Sequence, residues 1–133
     1  MMKKNAEDYI KAILRDVEKT KNVDYADKAA VRRNNAAVNR IIANGNYIDE
    51  HFPEQFDLLA ALMEIEEYEV VGHILPMMFR MKNSTAKHKL RALEVTQWFI
   101  DSSDAPGYEK FIFKVNLRTW KKQLVEEGIL SDE

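Results

Sequence analysis

The stretch Glu69–Met81, EVVGHILPMMFRM, decides the fold. Coiled as a helix, it is apolar on nearly every side: Val70, Val71, Ile74, Leu75, Met77, Met78, Phe79 and Met81 leave little polar surface. It is too short to cross a bilayer, which takes ~18 or more apolar residues. A short helix that is apolar all round belongs at the centre of a bundle. Pro76 is expected to kink this helix or to start a new segment, because proline lacks the backbone donor. The rest of the chain must then supply helices to surround it.

The flanking sequence supplies them. Four glycines and three prolines punctuate 133 residues, so long elements are expected, and apolar residues recur at helical rather than alternating spacing. The first helix is predicted over Ala6–Lys19, capped by Asn5, with Glu7 and Asp8 in its first turn and Ala6, Ile10, Ile13 and Val17 inward. The second is predicted over Tyr25–Ala43, capped by Asp24 and ended by Asn44-Gly45-Asn46. It has two stripes: Ala26, Ala30, Ala37 and Ile41, and beside them Val31, Asn35, Val38 and Ile42. Asn35 on the second stripe reads as a buried structural clamp.

The third helix is expected to start at Pro53 and carry Phe52, Phe56, Leu59, Ala60 and Met63, with a break near Glu66–Glu69. The fourth is the stretch quoted above. The fifth follows the caps Asn83-Ser84-Thr85 and runs to Asp101 with Leu90, Leu93, Val95 and Phe99. The last follows Pro106-Gly107, turns Tyr108, Phe111, Ile112, Val115 and Trp120 inward, and ends before Gly128. The connections are short, which favours antiparallel neighbours. The expected fold is one all-α domain of five to six helices in antiparallel pairs, a short HEAT-like α-solenoid stack.

Composition removes several functions. There is no cysteine, hence no disulfide, thiolate zinc site or cysteine nucleophile. The lysines of the N-terminal MMKKNAEDYIKAIL are not followed by the apolar run of a signal peptide, and no stretch is apolar enough for a membrane span. The expected location is the cytoplasm. His51, His73 and His88 are preceded three residues earlier by Ile48, Val70 and Thr85, so the Glu-x-x-His ligand spacing of carboxylate-bridged metal bundles is missing. No Gly-x-Ser-x-Gly elbow, Walker loop or dinucleotide fingerprint occurs. No cofactor and no metal are expected.

Charge is segregated. Residues 1–48 hold ten Lys/Arg against six Asp/Glu, a balance of +4. Residues 49–75 hold eight acids and no Lys or Arg, a balance of −8. That block argues against a nucleic-acid partner, since phosphate would be repelled.

Two stretches, YEVVGHILPMMF (Tyr68–Phe79) and RALEVTQWFIDSSDAPGYEKFIFKVNLRTWKK (Arg91–Lys122), together with Asn35, resemble a family of small HEAT-like helical bacterial proteins of largely unassigned function. Immunity proteins of polymorphic and contact-dependent growth inhibition toxins are similar. The resemblance covers mainly the C-terminal half, and it departs at Gly72-His73 and Pro76, where a continuous helix of bulkier residues is expected. It implies a non-enzymatic protein that binds and neutralises a toxin. Nuclease toxins are basic, and an acidic patch can imitate the phosphate they hold. The expected contact residues are Asp49, Glu50, Glu54, Asp57, Glu64, Glu66, Glu67 and Glu69, with Tyr68 as aromatic anchor and Asp101 and Asp104 joining if the two loops meet. Two other readings fit the same chain: a ligand-binding protein or enzyme with a pocket lined by His73, Met77, Met78 and Trp98, and a scaffold module whose acids form an ordinary solvated turn.

Overall fold

The computed structural model describes residues 4–102 and 104–131. Ser103, between the predicted fifth and last helices, and Lys3, one of the N-terminal lysines weighed as part of a leader, lie outside them. The described chain is all-α. Its helices are α1 (Ala6–Lys19), α2 (Lys28–His51), α3 (Phe56–Ala60), α4 (Tyr68–Arg80), α5 (Ala86–Asp101) and α6 (Gly107–Glu126). Tight 3-10 turns at Pro53–Gln55 and Ala61–Glu64 flank α3.

The helix pairs run antiparallel, and side-chain register shows it. Tyr9 of α1 stacks on Tyr47 of α2 with ring centroids 4.6 Å apart, while Asp16 further along α1 meets Arg40, earlier in α2. In the α5/α6 pair, Phe99 packs on Phe113 and Lys89 reaches Glu127. Between the two pairs lies α4, whose Val70, Val71, Ile74, Leu75, Met77, Met78 and Phe79 are all buried. This central placement is what its sequence demands. Phe79 stacks on Trp120 of α6 at 4.5 Å, and the Gln123 side chain donates to the Phe79 carbonyl, one of the acceptors a helix end leaves open. The arrangement is compatible with a short stack of helix pairs.

Pro76 does not break α4, which continues to Arg80. Both Pro76 and Gly72, the residue four positions earlier whose carbonyl loses its partner, lie on the exposed side. The freed carbonyl side therefore meets solvent rather than core, which lowers the usual cost of an interior proline.

Three expectations are corrected. First, α2 starts after Asp27, whose side chain accepts from the Ala29 amide; Asp24 instead accepts from Ala26 in the preceding turn. The helix does not end at Asn44-Gly45-Asn46 but runs on to His51. Gly45 is buried inside it, and a Cβ placed there would sit 2.8 Å from the Sδ and Cε of Met77. Gly45 is a close-approach point between α2 and α4, not a helix stop. Second, Asn35 is exposed, so it is not a buried clamp. The inward face of α2 is Ala37, Ile41, Gly45 and Ile48, and Ile42 on the other stripe lies outside. Third, α6 buries Phe113, Leu117, Trp120 and Leu124, while Tyr108, Phe111 and Val115 face outward. Of the residues predicted inward, Trp120 is buried and Ile112 half-buried. The helix ends as expected, with Gly128 at φ +76 accepting the left-handed turn.

Candidate functional site

The acid block does not form one face, because its members meet different local demands. Asp49 is only 9% exposed. Its carboxylate accepts from the backbone amides of Lys82 and Asn83 at 3.2 and 3.0 Å and from Asn83 Nδ2 at 2.9 Å; Asn83 Nδ2 also donates to the Asp49 carbonyl. Asp49 therefore fixes the connection between α4 and α5, and it is withdrawn from the surface expected for a partner. Asp57 pairs with His88 Nε2 at 2.6 Å. The Nδ1 atom of His88 accepts from the Thr85 amide in the cap of α5, so Nε2 carries the proton that points to Asp57. Glu64 grips Arg91 through two nitrogens, Nε at 2.9 Å and a terminal nitrogen at 2.5 Å. The Arg91 guanidinium holds the Glu64 carboxyl below its ordinary pKa. Asp57 and Glu64 thus tie the α3 region to α5. Asp101 accepts from Gln97 on its own helix, and Glu50 and Glu54 are exposed around the α2–α3 corner.

The remaining residues converge. Glu66, Glu67, Tyr68, Glu69 and Asp104 line one depression of about 430 Å³, together with Trp98, Phe99, Ser102 and Ala105. Its volume is at the lower end for ligand-holding clefts, roughly 300–1,000 Å³. The break at residues 65–67 turns the chain so that three glutamates stand at the start of α4. The helix dipole favours negative charge there, which gives these acids a structural role as well. No Lys or Arg lines the depression; Lys21 approaches it from outside, 3.8 Å from Glu67 and 2.8 Å from Glu18. Trp98 is 39% exposed, braced edge-on by Phe99. Burial keeps the Tyr68 hydroxyl above its ordinary pKa, and Glu69 and Glu109 push the same way, so it remains a donor. Trp98 also borders a neighbouring hollow with Glu64, Glu66, Arg91 and Glu94. The indole is therefore flanked by carboxylates on both sides. An aromatic face among carboxylates suits a cationic side chain.

Sequence reasoning missed Trp98 as part of the acidic site. The signal was available: Trp98 falls just outside the Val95/Phe99 stripe of α5, and it lies near Asp101 and Asp104 in the chain.

His73 stands on an adjoining groove between α2, α4 and α6, which shares Tyr68 and Glu69 with the depression and has Val38, Gly72, Glu109, Ile112 and Trp120 among its walls. Burial lowers the pKa of its imidazole. Met77 and Met78 are sealed in the core and Trp98 is on a different surface, so the four residues expected around one pocket do not converge.

A wide depression of about 1,000 Å³ is an open trough along the α1/α2 pair. It is lined by Ala12 and Ala43, by the cations Lys4, Lys11, Arg15, Lys19 and Arg40, and by Asp8 and Asp16. Asp16, almost buried there, takes three hydrogen bonds from Arg40, and that contact holds its carboxyl below the ordinary pKa. Among the described residues, no three His, Asp or Glu side chains are grouped to hold a metal ion, and no helix is long and apolar enough to cross a membrane.

No family model, curated protein or solved structure matches the chain.

Proposed function

We propose that this chain is a non-enzymatic binding protein that neutralises a basic toxin, a nuclease domain in the leading form, by seating cationic side chains in the acidic depression beside Trp98. The observation that carries the reading is the convergence of Glu66, Glu67, Glu69 and Asp104 around one hollow with Tyr68 and Trp98, without a lining Lys or Arg. Four carboxylates share that wall with a single approaching cation, Lys21, which Glu18 also holds, so an external cation has unmatched negative charge to meet. They also steer a basic protein toward the site before contact. Trp98 supplies the aromatic anchor usual at binding hot spots. The proposed contact set is narrower than the whole acid block, since Asp49 is buried, and Asp57 and Glu64, though exposed, are already paired with His88 and Arg91. In this reading the protein acts in the bacterial cytoplasm and needs no cofactor.

The test uses the protein encoded by the adjacent reading frame as the probe, which this reading expects to be basic. The purified pair is expected to form a complex that blocks the probe's toxicity. Failure of the pair to bind overturns the reading.

A further inference from the structure

The sequence departs from a plain helix at Gly72-His73 and Pro76, and none of these three residues lines the depression beside Trp98. All three lie inside α4. Glycine in a helix interior costs about 1 kcal/mol relative to alanine. Packing does not demand it at position 72. A Cβ built on Gly72 meets no atom within 4 Å, whereas one built on Gly45 strikes Met77. Pro76, four residues on, has no N–H to give the Gly72 carbonyl. Gly72 therefore presents uncovered main chain with an acceptor released from its helical bond. Glycine is the residue used where a ligand approaches the backbone closely. The surface on which it opens is the groove between α2, α4 and α6, about 310 Å³ in volume.

The polar groups of that groove converge with few partners of their own. The His73 imidazole and the side-chain amides of Asn34 and Asn116 are half-buried there, and among the described residues none of the three has a hydrogen bond from the chain. Burial lowers the pKa of His73, so at neutral pH it carries no charge that would repel a cation. Glu69 and Glu109 are half-buried on the same walls, and both raise the pKa of the Tyr68 hydroxyl, so both stand near it. Neither carboxylate has an ion pair among the described residues. No Lys or Arg lines the groove. Lys21 is close enough for Glu69 to act on it, but its ammonium sits 2.8 Å from Glu18 and 3.8 Å from Glu67. Ile112 and Trp120 add apolar wall.

We infer that this groove binds a small organic dication of the linear diamine class. Two ammonium groups match the two carboxylates, Glu69 and Glu109, and attraction between opposite charges is strengthened by their partial burial. The remaining N–H donors suit the Gly72 carbonyl and the amide oxygens, and the methylenes lie along Ile112 and Trp120. The groove shares Tyr68 and Glu69 with the depression beside Trp98, but Gly72, His73, Asn34 and Glu109 belong to the groove alone, so the inference does not rest on the toxin reading.

Calorimetric titration of the purified chain with diaminopropane through diaminohexane tests it, at low ionic strength, where screening is least. At least one diamine is expected to bind with a dissociation constant on the order of 0.1–1 mM, and the diols of matching length are expected not to bind. Gly72→Leu fills the groove from its wall. It is expected to weaken binding at least ~10-fold while Tm stays at or above that of the parent, because the added side chain enters open space and leucine is the better helix former. Glu109→Gln is expected to weaken binding at least ~5-fold, while Glu66→Gln, in the depression and outside the groove, changes it by less than ~2-fold. If Gly72→Leu lowers Tm, the two glutamine variants decide. No binding of any diamine at millimolar concentration, diols bound as tightly as diamines, a stable Gly72→Leu chain that binds like the parent, or equal losses in Glu66→Gln and Glu109→Gln overturns the inference. No partner protein is present in this titration, so its failure leaves the toxin reading standing, and failure of the toxin pair to bind leaves this inference standing.

Discussion

Asp49 and Glu66 carry the same charge in one acidic run, yet they do opposite things. Asp49 is turned inward because the connection after α4 leaves two backbone amides, at Lys82 and Asn83, that need an acceptor. Glu66 stands on the surface at the rim of a hollow. Asp49→Ala should therefore destabilise the fold by about 1–3 kcal/mol, the cost of leaving buried donors without a partner. Glu66→Ala should change stability by no more than ~0.5 kcal/mol, as ordinary surface substitutions do. Urea unfolding of both variants separates the two roles. His73 makes a prediction about pH. Burial lowers its folded-state pKa below the ordinary 6.5, so the unfolded chain binds more protons between the two values. The stability from keeping His73 neutral is complete above pH 6.5 and is lost as pH falls toward the folded pKa. The depressed carboxyls of Asp16, Glu64 and Glu127 add their own loss at lower pH, below their ordinary values of 3.8 to 4.5. His73→Gln should flatten the fall in Tm between pH 7 and 5.5 and leave the more acidic fall in place. An unchanged slope in that upper window would rule out His73 as its source.

At the scale of elements, α2 and α6 explain what could be read from the chain and what could not. The boundaries of α1, α4 and α5 follow from local chemistry: the caps Asn5 and Thr85 accept from the amides they were expected to serve, and the apolar run 70–79 forces burial. Gly45 misled because a glycine in sequence looks the same whether it ends a helix or lets another helix approach. Only the position of Met77 distinguishes the two. α6 misled because it has two apolar faces, and local periodicity does not say which one the chain covers. Gly45 yields a direct test. Replacing it with Ala gains about 1 kcal/mol of helix propensity, which offsets part of the displacement of Met77. Gly45→Val adds bulk against a fully buried methionine and should cost about 1–3 kcal/mol in chemical denaturation. A valine variant as stable as the parent would show that α2 and α4 are not in close contact there.

At the scale of the molecule, the charge imbalance seen along the chain becomes an imbalance in space. The α1/α2 trough is lined by five cations against Asp8 and Asp16, and the start of α4 presents carboxylates beside Trp98. The expectation of an acidic surface was a reading of composition, and composition does not reveal which acids are already engaged. Asp57 and Glu64 stay exposed but are already paired with His88 and Arg91 of α5, and the α4–α5 connection buries Asp49. Asp104, distant in sequence, joins the hollow because the end of α5 returns to the start of α4. The central claim is that this smaller set captures a basic protein. Its most direct measurement is the affinity of the chain for the protein encoded in the adjacent reading frame, expected to be basic, before and after Glu66→Lys, Glu67→Lys and Glu69→Lys are combined. The reversal should weaken binding by ~100-fold or more, as expected when several close charge pairs turn repulsive, while Glu50→Lys changes it by less than ~3-fold. Parent-like affinity in the triple variant would contradict the claim.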